Sequence, residues 1–202
     1  NIETGKLVKV VSLVNGVTLT RWENGRYVTR RNQTLPKARK PITYFTNLIA
    51  GDYHYFRSFA GFLIGRVQLS TGRVEYLQVP VQALRKKDAK EEMHWKKTLP
   101  NDMKNADGYR ATQDKRNAGD GWGHVSAASP IVVGNRMYIP TMVGTVYVIN
   151  WRSKVLDQSA LVSVSDLGLV GKTWTLSSLS YSASRLYART LKELICLEEQ
   201  GQ

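Results

Sequence analysis

The chain has 202 residues, of which 42% are hydrophobic and 22% are charged. This balance is typical of a folded globular protein, and it excludes a disordered or collagen-like chain. Cys196 is the single cysteine, which excludes a scaffold held together by internal disulfides. No run of about 18 apolar residues occurs, so no transmembrane segment is predicted.

The formal net charge of +13 is concentrated near the N-terminus. Residues 1–40 contain nine Lys and Arg against two Glu. A basic face of this kind can bind nucleic acid, anionic lipid or an acidic polysaccharide, so a polyanion is a possible partner. The residues that would form this face are Arg26, Arg30, Arg31, Lys37, Arg39 and Lys40. A solvated edge is the alternative interpretation, because no nucleic-acid motif accompanies the charge.

Short runs of β-branched and aromatic residues predict strands along most of the chain. In the first half these runs are 17–20, 42–46, 53–58, 62–69 and 74–79. In the second half they are 131–133, 136–140, 145–150, 161–164, 185–190 and 193–197. Gly134 and Gly144 lie between neighbouring runs, where hairpin turns need residues that accept positive φ. Many short antiparallel strands indicate a sandwich, a barrel or a propeller.

One segment between the two halves follows a different pattern. Residues 83–97 (ALRKKDAKEEMHWKK) are rich in helix formers, and Lys87 and Glu91 form an opposite-charge pair one helical turn apart. The segment predicts a short surface helix. The polar stretch 101–121 predicts a long loop after it. Together, residues 83–121 are interpreted as an insertion within one domain that spans 1–202.

Internal repeats distinguish among the all-β architectures. Four residues recur 49 positions later in the chain: Ser129, Arg136, Tyr138 and Thr141 correspond to Ser178, Arg185, Tyr187 and Thr190. After a one-residue deletion, Val146 and Val148 correspond to Leu194 and Cys196. The repeat favours a propeller, in which the recurring tyrosines pack between blades.

The stretch SAASPIVVGNRMYIPTMVGTVYVIN (126–150) is similar to the repeat of pyrroloquinoline-quinone-like (PQQ-like, or quinoprotein-like) β-propellers. NIETGKLVKV (1–10) and SSLSYSASRLYARTLKELICLEE (177–199) resemble other parts of that repeat. The resemblance implies an all-β fold of four-stranded antiparallel blades, about four in this chain, whereas propellers of this family usually close with seven or eight. It therefore implies either a partial propeller, which would be the C-terminal portion of a longer one, or a small propeller that closes unusually. It also implies a bacterial protein that is periplasmic or secreted.

The leading functional hypothesis is a binding or scaffold module without a bound quinone. One cysteine cannot form the vicinal disulfide that the resemblance would imply for a quinone dehydrogenase, so no cofactor is expected. The three histidines show no metal-ligand spacing, no catalytic motif is found, and neither a metal nor a catalytic residue is assigned. An incomplete propeller would expose a blade face, so a protein partner or the remainder of the propeller is expected to cover it. The alternatives are a propeller enzyme whose site is completed by further blades, and a polyanion-binding module.

The segment GDGWGH (119–124) is the most distinctive local motif. Its glycines allow a tight loop around Asp120, Trp122 and His124, which are predicted to face a ligand. Trp122 would stack on a sugar or another planar ligand, and Asp120 with His124 would supply polar contacts or transfer a proton. Alternatively, Trp122 fills a blade interface.

Overall fold

A computed structural model describes residues 3–35, 47–58, 62–85, 91–96, 99–111 and 128–198. Within these ranges the chain forms fifteen β-strands in four sheets and a 3₁₀-helix at Gln158–Ala160. The same ranges contain no α-helix, and no helix in them is long and apolar enough to cross a membrane.

Sheet 1 has six strands in the order β2-β1-β6-β5-β4-β3. Their bounds are β1 Val17–Glu23, β2 Arg26–Gln33, β3 Asn47–Ala50, β4 Tyr53–Arg57, β5 Leu63–Gln68 and β6 Val74–Gln78. Strands β3 to β6 form an up-and-down antiparallel meander. Strands β1 and β2 form a hairpin that joins this meander through a parallel pairing of β1 with β6.

The remaining strands form two further sheets and a hairpin. Sheet 2 is antiparallel and consists of β9 Ile131–Val133, β10 Arg136–Pro140, β11 Thr145–Asn150 and β12 Leu161–Asp166. Sheet 3 consists of β13 Ser180–Ser182, β14 Arg185–Arg189 and β15 Leu194–Glu198. The hairpin is β7 Gln82–Arg85 with β8 Glu91–His94. The predicted all-β class with four-stranded antiparallel blades is confirmed, because β3–β6 and sheet 2 each have four antiparallel strands in sequence order.

The predicted helix over 83–97 is wrong. Strands β7 and β8 pair in antiparallel register, with Gln82 opposite His94 and Arg85 opposite Glu91. Ala83 is buried in the core, and Met93 packs against the same core. Helix propensity is a weak local preference that tertiary packing of this kind overrides.

Sheet 1 differs from the prediction in two further ways. The hairpin of β1 and β2 makes it larger than a four-stranded blade, and the sequence pattern predicts neither β2 nor β3. The sequence of β2, RYVTRRNQ, contains three arginines and lacks the apolar alternation of a half-buried strand. The predicted strand at 42–46 lies outside the described residues.

The three sheets stack in chain order with apolar layers between them. Between sheets 1 and 2, the main core contains Tyr55, Ile64 and Leu77 on one side and Met137, Ile139, Tyr147 and Ile149 on the other. The opposite face of sheet 1 is also buried, around Phe56, Leu63, Val67 and Tyr76. Between sheets 2 and 3 the layer contains Val146, Leu167, Leu179 and Ala188. Sheet 2 is therefore covered on both faces.

Candidate functional site

Sheets 2 and 3 repeat each other in strand register as well as in sequence. In sheet 2, Tyr138 lies opposite Val148 on the neighbouring strand. In sheet 3, Tyr187 lies opposite Cys196, and the other pairs along these strands correspond in the same way. The 49-residue repeat therefore describes equivalent positions in two equivalent sheets.

The equivalent faces of the two sheets differ in what covers them. Val146 of sheet 2 is 6% exposed because it packs against sheet 3, whereas its counterpart Leu194 is 73% exposed. Ala188 and its cross-strand partner Ile195 pack towards sheet 2. Since side chains alternate along a strand, the neighbouring positions point away from sheet 2. We call this second surface the outer face; it consists of Ser180, Ser182, Arg185, Tyr187, Arg189, Leu194, Cys196 and Glu198.

The outer face has an apolar centre, where the half-buried Tyr187 lies opposite the exposed Cys196, with charges on either side of it. Leu194 lies next to this centre and opposite the exposed Arg189. At one end, Arg185 Nη2 donates to Glu198 Oε1 at 3.2 Å, and this bond raises the pKa of Arg185, with Tyr187 adding to the effect. An exposed ion pair contributes little to stability, so its main effect is to place two charges beside the apolar centre.

The predicted polyanion-binding residues are divided by the structure. Arg26, Arg30 and Arg31 are exposed on β2. Arg30 donates through Nη1 and Nη2 to the two carboxylate oxygens of Glu23, at 2.6 and 2.8 Å, and this contact lowers the pKa of Glu23. The charge of Arg30 is thus already paired. Lys37, Arg39 and Lys40 lie outside the described residues, and polyanion binding stays a prediction.

The predicted ligand-facing residues Asp120, Trp122 and His124 also lie outside the described residues. Within the described ranges, no group of three His, Cys, Asp or Glu side chains is placed to hold a metal ion.

A groove of about 740 Å³ lies between β7 and the end of β12. Its described lining is mostly apolar, with Asp166 and Lys172 as the charged members. The Thr145 hydroxyl donates to Asp166 Oδ1 at 2.6 Å, and Lys172 Nζ lies 3.5 Å from Asp102 Oδ2. Both charges therefore have partners within the chain.

Two buried arginines lie between sheets 1 and 2, and the first is Arg66. Its Nε donates to Glu75 at 2.7 Å, and Nη1 donates to the Tyr55 hydroxyl at 3.0 Å. Nη1 and Nη2 also donate to the carbonyls of Ser153 and Lys154, at 2.7 and 2.9 Å. Burial opposes the charge of Arg66, but Tyr55 and Glu75 outweigh it and raise the pKa. Arg66 thus ties sheet 1 to the turn after β11.

The second buried arginine, Arg57, has few partners. It is 1% exposed, and its guanidinium carbon lies 4.8 Å from the ring centroid of Tyr147. Nη2 makes one long hydrogen bond of 3.4 Å to the Tyr147 hydroxyl, while Nε and Nη1 have no hydrogen-bond partner within the described ranges. Burial lowers the pKa of Arg57, an effect that Tyr147 partly offsets.

No protein-family model matches the chain, and no curated protein matches it. Among solved structures, the chain is similar to BamB from Moraxella catarrhalis, with 14% sequence identity and a TM-score of 0.29. The match covers 75% of this chain and 41% of the BamB chain, so this chain spans less than half the length of that protein. A match of this size carries no argument about activity or partners.

Sequence reasoning missed both buried arginines. The available signal was alternation, because Tyr53, Tyr55 and Arg57 occupy every second position of β4 and therefore share one face. An arginine at a core-facing position indicates a buried charge that must find partners. The partners of Arg66 include backbone carbonyls far along the chain, which no sequence pattern marks.

Proposed function

We propose that this chain is a binding scaffold of the β-propeller type, and that its outer face binds a further antiparallel β-sheet. The observation that carries the proposal is the contrast at one repeat position: Val146 is 6% exposed and Leu194 is 73% exposed. In sheet 2 this face is covered by sheet 3, whereas in sheet 3 the equivalent face is exposed.

The chemistry of the occupant follows from the covered copy of the same face. Sheet 3 covers sheet 2 with small and branched apolar side chains, including Ala188 and Ile195. Since the outer face repeats the register of the covered face, a sheet with a similar apolar face would fit it. Arg185 and Glu198 would lie at the edge of such a contact, where charges favour specificity more than affinity.

The test uses the single cysteine as a reporter. Cys196 is exposed on the outer face, so a photoreactive maleimide attached to it samples whatever covers that face. After incubation with an extract of the source organism and irradiation, we expect cross-links to a strand of another protein or of further chain. Leu194→Lys should reduce their yield about tenfold, because the substitution places a charge in an apolar contact.

The matched control is Leu169→Lys, which changes a leucine that is 77% exposed but lies outside the outer face. It should leave the yield unchanged. A second control places the probe at Gln158→Cys in a Cys196→Ser background, on the exposed surface of the 3₁₀-helix. Equal yields from both probe positions, or equal losses in both lysine variants, would contradict the proposal.

A further inference from the structure

Arg57 has a buried guanidinium that uses only part of its hydrogen-bonding capacity. Guanidinium groups have five N–H donors, and native proteins leave few buried polar groups without partners. Burial of a charge without an opposite charge is costly unless something compensates it. In Arg57 neither Nε nor Nη1 donates to an acceptor in the described part of the chain, although the side chain is 1% exposed.

Among the described residues, the surroundings of Arg57 supply no acceptor to Nε or Nη1. Tyr147 covers one face of the guanidinium, and the hydroxyl of Tyr147 donates to the carbonyl of Pro80 at 2.8 Å. Tyr147 also acts electrostatically on Tyr27, whose buried hydroxyl has no hydrogen-bond partner among the described residues. Asp166, whose Oδ1 accepts from Thr145, acts on Tyr147 as well, but no described residue accepts a hydrogen bond from Nε or Nη1 of Arg57.

The same interface contains a second buried arginine, whose guanidinium nitrogens all donate to acceptors. Arg66 faces the same core, and its three guanidinium nitrogens donate to one carboxylate, one hydroxyl and two carbonyls. The described residues therefore supply acceptors to all three guanidinium nitrogens of Arg66, but to only one of those of Arg57. Donors on a positive charge bind oxyanions most strongly, through charge-assisted hydrogen bonds.

We infer that Arg57 is the charged ligand of a buried binding site for a small oxyanion, a carboxylate or a phosphate, between sheets 1 and 2. The oxyanion accepts hydrogen bonds from Nε and Nη1 of Arg57, and Tyr147 fixes the guanidinium from the other side. The site is independent of the outer face, so either proposal can fail without the other.

The experiment measures thermal unfolding of the wild-type chain in increasing acetate or phosphate, with chloride exchanged to keep the ionic strength constant. A ligand that binds only the folded state raises its stability with ligand concentration. At about one hundred times Kd, we expect the melting temperature to rise by about 5 °C or more. A rise in acetate alone assigns a carboxylate, and a rise in phosphate assigns a phosphate.

Variants connect any rise to Arg57. Arg57→Gln should abolish it, and Arg57→Lys, which keeps the charge if Arg57→Gln does not fold, should weaken binding at least about tenfold because Lys lacks the guanidinium geometry. Arg152→Gln changes an exposed arginine in the same way and should keep the full rise. No rise in the wild type with either anion, or an equal rise in Arg57→Lys and Arg152→Gln, would overturn the inference; a crystal structure with water alone at Nε and Nη1 would do the same.

Discussion

Arg66 and Arg57 lie on neighbouring strands of sheet 1, face the same core and are equally buried, yet their surroundings differ. Arg66 makes four hydrogen bonds of 3.0 Å or less, while Arg57 makes one of 3.4 Å. The hydroxyl of Tyr55, beside Arg66, donates to the Trp151 carbonyl, whereas that of Tyr27 has no hydrogen-bond partner among the residues that the structure describes. The first set of polar groups therefore holds two sheets together, whereas the second has hydrogen-bonding capacity that the described residues do not use. Four substitutions test this difference.

The largest effect is expected for Arg66→Met. It removes the partner of the buried Glu75 and leaves that carboxylate without its closest compensating charge. Breaking a buried pair from one side costs about 3–5 kcal/mol. Urea unfolding followed by circular dichroism measures the loss; a loss below about 1 kcal/mol would mean that the bonds of Arg66 do not tie the sheets together.

Tyr55→Phe should have the next largest effect. It removes one hydroxyl that both donates to Trp151 and accepts from Arg66. The free energy of unfolding should fall by about 1–2 kcal/mol, because an acceptor of Arg66 is lost while the ring remains. The same urea experiment measures this, and Tyr138→Phe, in the layer next to sheet 3, is the matched control.

Arg57→Met should change the stability of the ligand-free protein by less than about 1 kcal/mol. The substitution loses a cation–π contact with Tyr147, but it also removes two buried donors to which the described residues offer no acceptor. A loss as large as that of Arg66→Met would show that Arg57 has protein partners in solution.

Tyr27→Phe should have the smallest effect, within about 0.5 kcal/mol, with any change in the stabilising direction. The ring keeps its edge contacts with Trp22 and Trp95, and the hydroxyl that is removed makes no hydrogen bond to a described residue. A loss of unfolding free energy equal to that of Tyr55→Phe, measured under the same conditions, would show that the Tyr27 hydroxyl makes a stabilising hydrogen bond and would contradict this prediction.

The part of the fold that sequence predicts well is the part that repeats. Sheets 2 and 3 follow from the 49-residue offset, because equivalent turns and tyrosines recur where equivalent strands need them. The hairpin of β7 and β8 could not be predicted this way, since its local sequence favours a helix and only packing of Ala83 and Met93 decides otherwise. Strand β2 is an edge strand whose arginines interrupt the apolar alternation of a strand. Charged side chains of this kind protect an edge strand from pairing with another chain.

The sequence predicts an exposed blade face, but the residues that form the exposed face of sheet 3 could be identified only from the strand register. The arginine sites were not foreseeable at all. Arg66 bonds to carbonyls 87 and 88 positions away, and every residue has a carbonyl, so composition contains no trace of that contact.

The parallel pairing of β1 with β6 has a consequence for how the chain folds. Strands β1 and β2 form a local hairpin within microseconds, but a lone two-stranded hairpin is marginal in water. Its docking strand, with Thr18 opposite Glu75, is synthesised last among the strands of sheet 1. During synthesis the hairpin therefore opens and re-forms repeatedly. It can dock only after β6 has left the ribosome and the edge of the meander has formed. Completion of sheet 1 should be limited by this long-range closure rather than by hairpin formation.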